Sequence, residues 1–514
     1  MTSSPLAAAP SSSDVPAGRA SFRFVVLVLF LAILAQWLVY RNAFHVKPSG
    51  DDWTTWGEVL RGDRYGWQVH FLEGGFRYRP LKGLLIWWFT KIDRQDPWPW
   101  IRVLHMIAAA GFAGAGALWL RELRVGRAGV VAGMLALTLH PGLAIAVASF
   151  DMVDTTACAA LLWLGAWFIF HFRGRLAIAL AGAIACLFVG IGFREYVFAL
   201  APLGALIALL FWPTPVRRAR LNAGIIGGAL LLAGLIAFQI RRIVVTSGLQ
   251  QGYSMLRFSP VQITVNFATL TAGLVFLGDP VWVYLHQSPA VLAMVGLACA
   301  AFVGLFAAGL WQRARAETAP EDSAPREFST ARWVAFLLPA VAIASLPSTL
   351  LFHVSEAYLP PMLLPTALLV ALAADGYARR ARGILRAAAL TLGVLALASS
   401  LIVTDRKVDG IADAGERADA QMRQVRALVP SDIVDPKVLL LYKQSDLPPR
   451  STFSVYRLGD DILLMRPIVE ELYRPGDGMI IQGQHVDESG NVDTRGFDVV
   501  LMWDAKSKSF SRVR

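Results

Sequence analysis

Long, nearly unbroken apolar runs dominate the first four hundred positions of this chain, and short polar clusters punctuate them. A membrane-crossing helix needs about 20 mostly apolar residues. Runs of that kind lie at 22–40, 101–120, 128–147, 155–170, 176–192, 197–212, 223–240, 289–311, 333–351, 359–376 and 384–403. The pattern therefore predicts about eleven spans. Beyond 405 the rhythm changes: 414–428 has the period of an amphipathic helix, and 'KVLLLY', 'ILLMRPI', 'MIIQG' and 'FDVVLMW' read as strands between Pro, Gly and Asp turns. The expected architecture is an all-α polytopic membrane body, 22–404, followed by a small α+β domain, 405–514. Residues 1–21, rich in Ser, Ala and Pro, are expected to be a disordered leader, and the first span, preceded by Arg19 and Arg23, an uncleaved anchor.

Composition sharpens that division. Residues 405–514 carry 18 acidic and 16 basic side chains, leaving 19 acidic and 32 basic for 1–404, so nearly a third of the tail is charged against about an eighth of the body. Only 17% of the whole chain is charged and 56% is hydrophobic, which excludes an ordinary soluble enzyme. The net charge of +11 sits among the apolar runs rather than in the tail, so it reads as membrane topology and not as nucleic-acid binding. Loops on one side hold Arg121, Arg124 and Arg127, then Arg217, Arg218 and Arg220, then Arg379, Arg380 and Arg382, whereas the short loops opposite hold only Arg194, Arg241, Arg242 and Arg257. Because basic loops stay on the cytoplasmic side, the N-terminus is expected inside and the long 41–100 loop and the tail outside. In a bacterial cell this is the inner membrane with a periplasmic tail. A crossing at 261–280 would carry the Arg-rich 312–332 loop to the wrong side, so a re-entrant or surface helix is expected there. The first outer loop, with 'DDWTTWGEVL' and 'LKGLLIWWFTKI', reads as two amphipathic helices lying on the membrane.

Orientation sorts the candidate chemistry onto one face. Asp51 and Asp52 fall in the first outer loop, Asp151 and Asp154 at the outer start of the fourth span, Arg194 and Glu195 between the fifth and sixth, and His353 and Glu356 just before the tenth. Each has an ordinary reading as well: carboxylates cap helix starts, Arg194 and Glu195 can neutralise each other, and Arg241 and Arg242 can snorkel. Their common depth is what those readings leave unexplained, because acidic groups at membrane depth are costly and face a cavity or a partner. A carboxylate can take the proton of an attacking hydroxyl, and arginines can hold a departing phosphate. With no phosphate-binding loop or dinucleotide fingerprint in the chain, the donor would be borne by a lipid.

These residues resemble the GT-C superfamily of polytopic membrane glycosyltransferases, in particular its bacterial members and the related eukaryotic transmembrane O-mannosyltransferases. Five pieces match in order over roughly residues 22–375: 'SGDDW'; 'YRPL' at Tyr78–Leu81 with 'PWPWIRVLHM'; 'HP' at His140 and Pro141 followed by 'ASFDMVDTTACAALL'; 'FREYVFALAP'; and 'SEAYLPP'. The resemblance implies an inverting transferase that takes a sugar from a polyprenyl-phosphate donor to a periplasmic glycan, lipid or protein hydroxyl. It implies a first-loop base at Asp51 or Asp52, with Asp51 leading the pair. It also implies an assisting acidic residue at Asp154, with Asp151 the other register, and Glu195 in the family's Lys-Glu position. Glu356 and Tyr358 occupy the last motif, where Ala357 replaces a common arginine, leaving phosphate contact to Arg79, Arg194, Arg241, Arg242 or Arg257. Asp51 and Asp52 could bind a divalent cation through oxygen, a metal-free base mechanism is equally compatible, and no metal ligand is assigned. Two rivals remain: a surface-polysaccharide polymerase or ligase, and a lipid-linked glycan transporter, whose charges would be expected along the midplane.

Overall fold

A computed structural model describes residues 19–49, 52, 59, 66–68, 79–93, 96–244, 259–276, 288–317, 328–351, 356–381, 383–433, 436–443, 470–474, 477–486 and 492–513. The predicted strand 'ILLMRPI', the leader 1–18 and most of the first predicted surface helix of the 41–100 loop lie outside these residues. Every predicted span falls on apolar helix, in one case on two pieces. Nine helices among the described residues are long and apolar enough to cross a membrane, and two more, at Leu176–Ile191 and Glu195–Phe211, are shorter.

The order begins with α1 (Phe22–Val39), started by the Ser21 hydroxyl, which accepts from the Phe24 amide at 3.2 Å. The second predicted surface helix is α2 (Pro80–Phe89). Then come α3 (Trp98–Leu123), α4 (Arg127–Thr138), a short α5 (Ala144–Ala148), α6 (Val153–His171), α7 (Leu176–Ile191) and α8 (Leu200–Phe211). The run read as one span at 128–147 is in fact interrupted. Pro141 cannot donate to a continuing helix, and the Gly142 amide instead donates to His140 Nδ1 at 3.0 Å. The body closes with α9 (Val216–Val244), α10 (Pro260–Phe276), α11 (Pro289–Glu317), α12 (Thr330–Thr349), α13 (Pro360–Arg380) and α14 (Gly383–Leu428).

The buried α13 packs against α4, α6, α11 and α12, while α11 and α14 turn most of their surface outward. Small residues let backbones approach where no hydrophobic force drives helix to helix. A Cβ at Gly129 of α4 would sit 2.7 Å from the Ala371 carbonyl of α13. An aromatic cluster of Trp119, Phe170, Phe211, Trp333 and Phe336 fills the centre, and its polar edges are matched: Trp119 Nε1 donates to the Trp163 carbonyl at 2.9 Å and Trp163 Nε1 to the Pro361 carbonyl at 2.8 Å. The 17-residue α10 buries Asn266, Leu270 and Leu274 on one face, and Asn266 Nδ2 donates to the carbonyls of Thr349 and Leu351.

The tail departs from the sequence reading in one respect. The predicted span 384–403 and the predicted helix 414–428 are a single 46-residue helix, α14, about 69 Å long at 1.5 Å per residue, with no backbone break where the composition changes. Its far end packs Ala418, Met422 and Val425 onto a five-stranded sheet of order β2-β3-β1-β4-β5. These strands are β1 (Lys437–Lys443), β2 (Glu470–Arg474), β3 (Asp477–Val486), β4 (Val499–Asp504) and β5 (Ser509–Arg512). Central β1 runs parallel to β3 and β4, and β2 and β5 are antiparallel edges. Alternation along β1 serves both faces: Val438, Leu440 and Tyr442 meet α14, while Leu439 and Leu441 meet Val486 and Val500.

Candidate active site

The segment from Ser149 to Thr155, between α5 and α6, gathers two polar clusters. The first forms around Asp154, in the opening turn of α6 and wholly buried. Two cations from elsewhere converge on it. Arg79 precedes Pro80, whose fixed φ suits the first turn of α2, and the Leu81 amide donates to the Gly192 carbonyl at 3.1 Å, docking that helix start on the α7–α8 turn. From there Arg79 Nη1 reaches Asp154 Oδ2 at 2.5 Å and Nη2 lies 3.5 Å from Glu195 Oε2. Arg194 sits in the turn that ends α7, and its Nη1 donates to the Thr155 hydroxyl and lies 3.5 Å from Asp154 Oδ1. Its guanidinium also lies over the rings of Tyr196 at 5.2 Å and Tyr358 at 5.9 Å.

The electrostatics follow from those contacts. Burial alone would lower the Arg194 pKa, but Asp154, the two tyrosines and Glu195 more than offset it and hold it above the ordinary arginine value. Lys82, buried one turn into α2, adds its positive field at Asp154. The cluster thus holds three cations against Asp154 and the partly exposed Glu195. Arg79 Nε has no hydrogen-bond partner among the described residues. With three cations against two carboxylates the set is net positive and can hold an anion.

The second cluster surrounds Asp52, which is 2% exposed. The Ser149 hydroxyl donates to its Oδ1 at 3.0 Å and the Ser49 amide to its Oδ2 at 3.1 Å. Close by lies Arg102, buried in the first turn of α3 with Nη2 donating to the Val46 carbonyl at 3.1 Å.

Of the residues singled out in the sequence, the structure brings Asp154, Arg79, Arg194, Glu195 and Tyr358 into one cluster and ties Asp52 to the same segment through Ser149. Asp51, Arg257 and His353 lie outside the described residues. Asp151 lies in the turn before α6, Arg241 and Arg242 near the end of α9 and Glu356 in the turn before α13, and only their backbones are described. Sequence reasoning missed Lys82, Arg102, Ser149 and Thr155. The available signal was a lone cation inside an otherwise apolar helix, in 'PLKGLL' and 'WIRVLH', where a charge needs a partner. Among the described residues no His, Cys, Asp and Glu group has the makings of a metal site. A charged cleft of about 570 Å³, lined by Lys47, Asp413, Glu416, Arg417, Ala420 and Arg423, opens where the first loop meets α14.

No family model and no curated protein sequence matches this chain. Solved structures do. ArnT from Cupriavidus metallidurans, bound to undecaprenyl phosphate, superposes with a TM-score of 0.51 at 13% identity over 83% of each chain. The arabinofuranosyltransferase AftD from Mycobacteria gives 0.48 at 13% identity over 92% of this chain and 32% of that one. The archaeal oligosaccharyltransferase AglB from Archaeoglobus fulgidus, in complex with an inhibitory peptide and a dolichol-phosphate, gives 0.45 at 13% identity over 82% of this chain and 63% of its own. The likeness to ArnT establishes the fold: the chain shares the helical architecture of that structure, and its apolar helices make it a multi-pass membrane protein.

Proposed function

We propose that this protein is a membrane glycosyltransferase that moves one sugar from a polyprenyl-phosphate donor to a hydroxyl of an acceptor on the outer face of the membrane. The observation that carries this reading is the convergence of Arg79 and Arg194 on the buried Asp154, which builds a fixed, net-positive cradle one short segment away from Asp52. The polyprenyl phosphate bound to ArnT, whose fold this chain shares, supports a lipid phosphate as the group held there.

In the proposed step a carboxylate of the Asp51–Asp52 pair accepts the proton of the acceptor hydroxyl as its oxygen attacks the anomeric carbon. The bond from that carbon to the phosphate oxygen breaks, its electron pair stays on the phosphate, and the anomeric configuration inverts. Arg79 and Arg194 stabilise the negative charge that develops on the leaving phosphate. Asp154 keeps the two guanidiniums in place, a positioning role. Ser149 and the Ser49 amide hold Asp52 in its orientation. The acceptor is a glycan, a lipid or a protein hydroxyl. The reading places the protein in a bacterial inner membrane, with the N-terminus in the cytoplasm and residues 405–514 forming a periplasmic domain.

The test uses purified protein in nanodiscs, a panel of short-chain polyprenyl-phosphate sugars, and glycan or lipid extract from a strain lacking the gene. Release of polyprenyl phosphate with sugar appearing on an acceptor is expected. Asp51→Asn and Asp52→Asn, made separately, identify the base by a loss of at least about 10²-fold in kcat. Transfer that survives replacement of both aspartates would overturn the base assignment, and well-folded protein that consumes no donor would overturn the transferase reading.

A further inference from the structure

Segment 46–49, which leads into Asp52, is gripped from two sides. From beneath, Arg102 of α3 donates to the Val46 carbonyl, and Val46 itself is wholly buried. From above comes α14, well past the point where its composition turns polar. A Cβ at Gly415 would lie 2.9 Å from both the nitrogen and the carbonyl carbon of Lys47, so the helix backbone rests directly on the backbone of the segment. A side chain could swing away from such an intrusion, whereas main chain has to move. Polar ties flank the contact: Lys47 Nζ lies 2.8 Å from Asp419, and Asn42 Nδ2 donates to Asp409 at 3.1 Å. Two residues on, the Ser49 amide donates to the Asp52 carboxylate and the Ser49 carbonyl accepts from the Asp52 amide at 3.0 Å, so the segment and the carboxylate move as one turn.

We propose that the polar half of α14 is a positioning element for Asp52, acting through the backbone contact between Gly415 and Lys47. The tail would then set the placement of the first-loop carboxylate as well as face the acceptor side. The proposal rests on the reading of the Asp51–Asp52 pair as the base, and its mechanical half can be tested apart from that reading. Replacing Gly415 displaces the carboxylate while leaving the Arg79, Arg194 and Asp154 cradle, built on other elements, untouched.

The experiment compares Gly415→Val with Gly393→Val in the full-length protein in nanodiscs. Gly393 lies on the same helix with open space where its Cβ would stand, so that variant reports the effect of valine on the helix alone. Gly415→Val is expected to lower kcat by about 10- to 100-fold, since small misplacements of a reacting group have large costs, with the donor KM unchanged within about twofold. Amide exchange at residues 44–49 should quicken in Gly415→Val and not in Gly393→Val. Should Gly415→Val fail to fold, Asp419→Asn loosens the same grip more gently and should quicken exchange at the same amides. Wild-type kcat in folded Gly415→Val, or unchanged exchange at 44–49, would overturn the proposal, as would a loss that appears in the donor KM instead of kcat. If transfer proves independent of Asp51 and Asp52, the base reading falls, while faster exchange in Gly415→Val would still uphold the grip of α14 on the segment.

Discussion

Two buried aspartates sit in this protein with two arginines each, and the difference between them separates a clasp from a site. Asp375 of α13 accepts from the Gly126 amide at 2.8 Å, from Arg313 and from Arg379 Nε at 3.0 Å. Arg313 spends its other donors on the Thr330 hydroxyl and the Leu123 carbonyl. The cluster ties α3, α4, α11, α12 and α13 together, and the Gly126 amide and the Leu123 carbonyl bring the backbone into it. Asp154 has the same stoichiometry but looser company. Arg79 leans onward to Glu195, whose side chain is 37% exposed, and has an Nε with no hydrogen-bond partner among the described residues. A carboxylate that saturates its cations is structural, and one that leaves them with donors to spare can share them with a second anion.

Three substitutions would break or sharpen this contrast. The largest effect is expected for Asp375→Ala, which strands a buried guanidinium: the protein should lose about 3–5 kcal/mol of stability in detergent unfolding, while molecules that remain folded keep the wild-type kcat. A matching loss of activity per folded molecule would mean that the clasp belongs to the site. Next, Arg79→Ala should cost about 10²- to 10³-fold in kcat per folded molecule, because it removes one preorganised donor for the leaving phosphate, together with a loss of stability from leaving the buried Asp154 with Arg194 alone. An unaltered kcat would assign Arg79 to structure, like Arg313. The smallest effect is expected for Glu195→Gln. Its pair with Arg79 is long and solvent-screened, so stability should shift by less than about 1 kcal/mol. Transfer should change by no more than about fivefold, within the energy of so weak a pair.

The nine helices long enough to cross a membrane and the two shorter apolar ones could be read from the sequence because the lipid imposes a length and a polarity, while the break at Pro141 within 128–147 could not be seen in apolarity alone. Arg79, Asp154, Arg194 and Glu195 were also visible, as charges collected at one depth. Their pairing was hidden: Arg79 reaches Asp154 across 75 positions. Lys82 and Arg102 escaped notice because a single cation near the end of an apolar helix also fits an interfacial anchor. The unity of α14 was obscured for a different reason. Composition records the solvent a residue meets, and a helix can pass from lipid to water without altering its backbone. Strands β2 and β5 were missed because edge strands are short and carry charge, as 'EELYR' and 'SFSR' do.

An unbroken α14 is also a lever arm. Gly393 and Gly415 stand about 33 Å apart along its axis, so a rocking of about 5° in the membrane half sweeps the contact on Lys47 through about 3 Å. Helices adjust their tilt to the thickness of the bilayer around them. With α14 positioning Asp52 as proposed, a change in bilayer thickness would be felt at the first-loop carboxylate, and the membrane would act as an adjusting screw on the outer face as well as a support for it.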